Sequence, residues 1–364
     1  MAAGKGDVKN DASKTTGAMS SAVRSRKPGA LPVTLLTGFL GSGKTTVLNH
    51  LLRRPELANA AVLINEFGEI PLDQDFIDYR DDSVVVLANG CLCCIGSGDF
   101  EASLNQLFAR ADERGAPDFD RLLIETTGVA DPAPTMQLLL GNPIYSSIYR
   151  LDGVACTVDA MHCTGQLERH AEATRQIALA DDLLLTKTDI APPDTVDAAI
   201  GRLRRINPTA TLRTVTNGEV EPDELFNEHR TSRAGLIGAD APGIAGDGHD
   251  LSHRGHGHDS DIETFSFEHD EPVEWDRFQY WLRRLRVEHG EQLLRVKGMI
   301  DVQGEDGPIV IHGVQHVFHP PIRGRDWPTE SRRSRLVFIV QGLPRAEIEA
   351  SWRRNYLKQS AASG

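Results

Sequence analysis

Gly38-Phe-Leu-Gly-Ser-Gly-Lys-Thr-Thr46 decides how the rest of the chain is read. It follows the apolar run Pro32-Val-Thr-Leu-Leu-Thr37, whose composition predicts a buried strand, and leads into Val47-Leu-Asn-His-Leu-Leu-Arg53, whose spacing suits a helix. Strand, glycine loop and helix make the phosphate-binding pattern G-x-x-x-x-G-K-[ST]. Gly38, Gly41 and Gly43 let the backbone turn and bring its N–H groups, with that of Ser42, close to phosphate oxygens, and the helix N-terminus adds a favourable dipole. In this pattern Lys44 reaches the β- and γ-phosphates and Thr45 ligates Mg²⁺ through its hydroxyl. A bound nucleoside triphosphate with Mg²⁺ is the expectation from which the other motifs are placed.

Downstream, short apolar runs at 60–64, 83–87, 122–124, 154–158, 183–185 and 211–215 alternate with helical patterns near 99–114, 133–141, 165–179 and 194–205. That alternation predicts an α/β fold, a doubly wound, mainly parallel sheet whose ligands gather at the carboxyl ends of the strands. Residues 1–30 are rich in Lys, Ser, Ala and Gly without periodicity and read as a disordered tail ahead of a nucleotide-binding domain over 31–230. Over 231–260 the composition shifts to Gly, Ala, Asp and His, with His249, His253, His256 and His258, which reads as a linker. Ile262-Glu-Thr-Phe-Ser-Phe267 then alternates like a strand, 273–287 has helical period, and strand-like runs at 293–302, 308–318 and 335–341 precede a helical segment over 346–357. Residues 261–357 are thus expected to form a smaller α+β domain.

The chain has 364 residues, 40% hydrophobic and 25% charged, with a formal net charge of −13. That balance argues against a nucleic-acid partner, which needs clustered Lys and Arg. No apolar run approaches a membrane span and no signal-like segment opens the chain, so a cytoplasmic protein without a membrane partner is expected. Five cysteines, three of them in Cys91-Leu-Cys93-Cys94, do not make a disulfide framework for a chain of this size.

Each remaining motif follows a predicted strand. Leu122-Leu-Ile-Glu125-Thr-Thr-Gly128 ends a strand in an acid placed to bear on Mg²⁺ or the attacking water, and the Gly128 amide is placed to meet the γ-phosphate. In Leu184-Leu-Thr186-Lys187-Thr-Asp189 the carboxylate of Asp189 suits the N1–H and N2–H₂ of guanine, and the Lys187 stem suits the face of the ring; Thr186 stands where Asn is commoner. Asn65-Glu66-Phe-Gly-Glu69 occupies the place of a switch loop, with Glu66 and Glu69 as candidates for magnesium, water or transition-metal contact, or as a solvated acidic loop. Gly90-Cys91-Leu-Cys93-Cys94 offers three soft thiolates, suited to Zn²⁺, Cu⁺ or similar ions, with a fourth position left for Glu69, water or a partner. Buried structural thiols or a redox pair are the alternatives. Cys156 and Cys163 are isolated and read as packing residues. His162 has no assigned role, and the histidines of 231–260 suit either weak metal collection or a plain linker.

Taken together, GFLGSGKTT, NEFGE, NGCLCC, LLIETTGVADP, LDGVACTVDA, LLLTKTD, LLRVKGM and GVQHVF resemble the CobW-type family of metal-chaperone GTPases from about Leu31 to Trp352. The resemblance implies a P-loop GTPase domain of the SIMIBI class, a CobW C-terminal domain, slow hydrolysis of GTP to GDP, and delivery of zinc, cobalt or another transition metal to a client metalloprotein. It assigns nucleotide and Mg²⁺ to Gly41, Gly43, Lys44, Thr45 and Thr46, a switch role to Glu125, guanine to Lys187 and Asp189, and the metal to Cys91, Cys93 and Cys94. Ile64 stands where some relatives carry a further glutamate. A homo-oligomer that depends on metal or GTP fits the same picture. From the residues alone, a P-loop small-molecule kinase with structural cysteines and a nucleotide-stabilised metal buffer are the competing readings.

Overall fold

The computed structural model describes residues 30–65, 86–89, 100–105, 107, 119–226, 262–324, 326–327 and 332–357. Glu66, Glu69, Cys91, Cys93, Cys94, the tail before residue 30 and the histidine-bearing segment lie outside the described residues.

The first sheet is parallel throughout its described strands. β1 (Leu31–Gly38), β2 (Ala60–Asn65), β3 (Val86–Asn89), β4 (Arg121–Glu125), β5 (Tyr149–Asp159), β6 (Asp182–Thr186) and β7 (Thr211–Val215) stand in the order β3-β2-β4-β1-β5-β6-β7. β1 is central, with Leu35 level with Ile124 of β4 on one side and Val154 of β5 on the other. Successive strand residues face opposite layers, as the period of two requires. Leu36, Val62 and Leu123 pack under α1 (Lys44–Leu52) with Val47, Leu48 and Leu51, whereas Leu35, Leu63 and Ile124 pack on the other face against α2 (Ala133–Gly141). α3 (Pro143–Ile148), α4 (Cys163–Arg169), α5 (Ala171–Leu179), α6 (Pro193–Ile206) and α7 (Pro222–Phe226) follow among the described residues, and residues 100–105, between β3 and β4, are helical as well.

The single helix expected near 165–179 is two. His170 leaves the helical path at φ −133° and ψ 106°, and its ring stacks on Phe39 of the glycine loop with centroids 4.5 Å apart. A contact with a residue remote in sequence overrides the local helical pattern here. The short helix α3 adds an element that periodicity does not announce; it is started by Asn142, whose side chain accepts from Ile144 N at 2.9 Å, with Pro143 at the first helical position.

The second sheet is antiparallel, in the order β11-β10-β9-β13-β8, where β8 is Ile262–His269, β9 Arg295–Ile300, β10 Ile309–Val314, β11 Val317–Phe318 and β13 Ser334–Gln341; β12 (Ile322–Arg323) also pairs with β10. One of its faces is covered by α8 (Trp275–His289) and α9 (Arg345–Trp352) through Phe278, Trp281, Leu285, Ile348 and Trp352. On the other side Leu294, Val314 and Ile339 join the core that contains Leu35 and Ile124, so the two sheets share apolar interior.

Polar contacts reinforce this joint. Arg295, 1% exposed, donates to Leu179 O and to Asp181 Oδ1, and Lys297 Nζ lies 3.7 Å from the same carboxylate oxygen. Asp181 Oδ2 accepts from Val154 N at 3.1 Å. Arg175 of α5 donates to Asp131 Oδ2 at 2.8 Å and to Gln341 Oε1 of β13 at 2.5 Å. Near Arg295 the rings of His312 and His319 stack at 4.6 Å; burial holds His312 well below the ordinary imidazole value and brings His319 down to about 4. Among the described residues, no helix is long and apolar enough to cross a membrane.

Candidate functional site

The glycine loop runs from the end of β1 to the start of α1. Gly43 occupies the N-cap with φ +94°, a left-handed conformation that a side chain would oppose, and Gly38 and Gly41 also have positive φ. Below the loop lies a lattice of hydroxyls from the strand ends. Ser42 Oγ donates to Thr157 Oγ1 at 2.6 Å, Thr157 Oγ1 donates to Thr37 O at 3.3 Å, and Thr126 Oγ1 donates to Thr37 Oγ1 at 2.9 Å. These bonds satisfy buried polar groups and fix the carboxyl ends of β1, β4 and β5 against one another.

Lys44, almost wholly buried, donates Nζ to Gly38 O at 2.9 Å and Phe39 O at 3.3 Å, so its charge is held over the loop it belongs to. Thr45 Oγ1 lies 3.1 Å from Glu125 Oε1. Because Glu125 is level with Leu36 of β1, its 5%-exposed carboxylate comes up beside the first turn of α1. A hydroxyl and a buried carboxylate are hard oxygen donors, the kind that Mg²⁺ takes beside phosphate. Thr46 follows on the exposed side of the same turn. Gly128 packs against the loop: a Cβ at 128 would lie 2.6 Å from Leu40 Cδ2 and 2.8 Å from Leu40 N.

The Thr186 hydroxyl sits 2.8 Å from Ser42 O and 3.1 Å from Val158 O, which ties β6 to the glycine loop where the commoner Asn would stand. Lys187, at φ +58°, turns its Nζ to Asp159 Oδ2 at 2.7 Å while its side chain stays partly exposed, and Asp189 is exposed at the same edge. Asp159 also accepts from Met161 N at 2.9 Å and from His162 Nδ1 at 2.9 Å. Burial by itself would raise the Asp159 carboxyl, but the hydrogen bonds from Lys187 and His162 outweigh it and hold the carboxyl below the ordinary aspartate value.

Cys156 and Cys163 are buried, free thiols, and burial pushes them up to about 12 and about 11. Neither is poised as a thiolate ligand. The segments that carry Glu66, Glu69 and the three clustered cysteines leave from β2 and β3, whose last residues, Asn65 and Asn89, pair directly; Ile64 is level with Glu125. Their points of departure are therefore neighbours on the edge that holds Lys44 and Thr45.

The motifs alone do not single out Thr157, Asp159 or Gln176. A signal for the first two existed in the Thr-x-Asp that closes an otherwise apolar strand at 154–159. Gln176, fully buried among Ala173, Ile177 and Ala180, carried one in being an amide on an apolar helix face.

A glycine loop capping α1, a lysine over it and an acid beside the following threonine define a P-loop nucleotide-binding domain with the GTPase fold, joined to a separate antiparallel-sheet domain. Residues 32–214 match the family described as CobW/HypB/UreG, nucleotide-binding domain, and residues 262–355 match the cobalamin synthesis protein CobW C-terminal domain. The chain belongs to the CobW family. It is 37% identical over 322 residues to zinc chaperone YjiA of Escherichia coli, covering 88% of this chain and 98% of the relative. It is 31% identical to zinc chaperone CobW of Pseudomonas aeruginosa, over 87% of this chain and 89% of the relative. The crystal structure of Zn(II)-bound YjiA GTPase from E. coli superposes with a TM-score of 0.66 at 32% identity, covering 90% of this chain and 99% of that one.

Proposed function

We propose that the chain is a GTP-hydrolysing metallochaperone, a GTPase of the CobW family that loads a transition metal, zinc first among candidates, and hands it to a client metalloprotein. The observation that carries the reading is the cluster of Lys44, Thr45 and Glu125 at the glycine loop of a chain whose relatives over nearly their whole length are zinc chaperones. In this reading Lys44 exchanges the carbonyls of Gly38 and Phe39 for the β- and γ-phosphates, and Gly128 offers its N–H to the γ-phosphate. Thr45 and Glu125 would hold Mg²⁺ directly or through water, and the ion supplies charge neutralisation on the phosphates. Glu66 orders on the γ-phosphate side and Asp189 reads guanine. Asp189→Asn, which exchanges a two-acceptor carboxylate for an amide, is expected to weaken GTP binding and relax discrimination against other nucleotides, as competition binding with ATP and GTP would measure.

Metal is the cargo, and Cys91, Cys93 and Cys94, with Glu69 as a fourth donor, are its proposed ligands. Support for coupling comes from the pairing of Asn65 with Asn89, which starts the acidic and the cysteine segments side by side. A γ-phosphate that orders the first segment can thereby favour metal capture by the second, and hydrolysis can release it. By linkage, metal must then raise GTP affinity by the same factor, and converting a mostly empty site to a mostly filled one needs about 10⁴-fold, or ~5.5 kcal/mol. Zinc sites built on thiolates are worth roughly 10–16 kcal/mol near neutral pH, enough to carry that difference. The test is metal affinity measured by competition with a chelating dye, with a non-hydrolysable GTP analogue and with GDP. The analogue is expected to tighten metal binding, and Cys93→Ser to abolish both the tight site and the metal dependence of GTP binding. Equal affinity in the two nucleotide states would leave a metal buffer in place of a chaperone.

A further inference from the structure

Between β4 and α2 the backbone of residues 126–131 passes over the glycine loop, and a side chain from another element grips it. Gln176, 0% exposed on α5, directs Nε2 to Gly128 O at 3.1 Å and to Ala130 O at 2.9 Å. A carboxamide nitrogen has two N–H donors, so both bonds form together. From the other side Gly128 is pressed on Leu40 of the glycine loop, as its lack of room for a Cβ shows. The helix that carries Gln176 is itself set against that loop, because His170 at its N-cap stacks on Phe39. The neighbouring Arg175 bonds Asp131, whose Oδ1 accepts from Ala133 N at 2.9 Å and so starts α2. Apolar packing alone does not call for an amide at this position, since burying one costs free energy unless its hydrogen bonds are made.

We infer that Gln176 is a positioning residue for GTP hydrolysis: it fixes the Gly128–Val129 and Ala130–Asp131 peptides, bracing the turn that Ala130 N closes on Thr127 O at 3.1 Å, and through that turn holds the Thr127–Gly128 peptide with its N–H toward the γ-phosphate. The inference rests on the reading of Gly128 given above. Glycine has the widest choice of φ and ψ, so without the clamp the turn is held by the Ala130 N–Thr127 O bond and the Leu40 contact alone, and a donor that must be reoriented during reaction stabilises the transition state less than one already in place. Gln176 acts through the loop and does not touch the nucleotide.

The experiment uses the full chain with Mg²⁺ and compares steady-state GTP hydrolysis with equilibrium binding of GDP and of a non-hydrolysable GTP analogue. Gln176→Met, which keeps the length and removes the donors, is expected to lower kcat about 10- to 100-fold, the scale of a misplacement near 1 Å, while GDP affinity stays at the wild-type value. Gln176→Glu, which faces the two carbonyls with an acceptor, is expected to lose at least as much. Should Met not fold, Gln176→Asn keeps the donors on a shorter side chain, and the same loss of kcat at unchanged GDP affinity is expected. Gly128→Ala separates the two readings. A wild-type kcat in Gln176→Met beside a damaged Gly128→Ala overturns the positioning role alone. Wild-type hydrolysis by Gly128→Ala removes the Gly128 reading and the positioning role with it. A parallel loss of GDP and analogue affinity in the Gln176 variants marks a structural glutamine and also overturns the inference.

Discussion

Asp159 ends β5 at the carboxyl edge of the parallel sheet, and Asp181 stands just before β6 at the opposite edge; each is largely buried and each meets two basic side chains. The partners differ in their access to water. Lys187 and His162, which hold Asp159, have side chains 36% and 65% exposed, whereas Arg295 and Lys297, which hold Asp181, are 1% and 4% exposed. A lysine that can swing into solvent is exchanged for a ligand at small cost, while a guanidinium enclosed between two sheets has nowhere to go. The same residue type therefore makes an exchangeable contact at the nucleotide edge and a permanent one at the domain joint, and the enclosure of its partners sets which.

The largest expected effect tests the joint. Asp181→Ala takes the carboxylate from beside a buried guanidinium, and a loss of about 3–5 kcal/mol is expected in urea unfolding, with little change in hydrolysis per folded molecule at low temperature. Lys44→Ala is the converse. Hydrolysis should fall by at least about 10²–10³-fold, the scale of one lost transition-state donor, while the unfolding curve stays close to wild type. Asp159→Ala should cost about 1–2 kcal/mol, in line with the loss of a carboxylate that caps backbone N–H groups, and should weaken GTP binding because Lys187 loses its anchor. Equal destabilisation by Asp159→Ala and Asp181→Ala would break the comparison. The smallest effect is in pH dependence. His312 and His319 are held neutral in the fold, so as pH falls from about 6.5, the ordinary value, toward about 4 for His319 the unfolded chain takes up protons first and stability declines. Asp159, with its lowered carboxyl, keeps its contribution through that window and loses it only at more acid pH. Melting temperatures measured across this range should drop by a few degrees for the wild type, and His319→Phe should flatten the curve.

What was legible in the sequence follows how local each cause is. β1, the glycine loop and α1 are dictated by residues within one short stretch, and the helix at 133–141 and the strand at 211–215 stand where periodicity puts them. The break at His170 was hidden because its cause is Phe39, on another element. Asn142 and Pro143 did announce α3 locally, yet the pattern is shorter than periodicity resolves. The joint was invisible for a different reason: Arg295 and Lys297 lie within a strand all of whose residues are buried, and nothing in their spacing tells that their charges meet Asp181. At the candidate site, the gathering of Lys44, Thr45 and Glu125 was legible because the phosphate-loop pattern sets those types in that order, whereas Gln176 bonds the backbone, and a backbone carbonyl leaves no trace in sequence.

Leu294, Val314 and Ile339 complete an apolar interior that begins with Leu35, Leu63 and Ile124 of the other sheet. Their association is thus expected to survive the loss of covalent continuity, as burial of shared apolar surface holds other chains made in two pieces. Two polypeptides, one ending after Phe226 and the other beginning at Ile262, made in the same cell should copurify as a GTP-binding heterodimer, while the amino-terminal fragment made alone should aggregate through the surface its missing half would have covered.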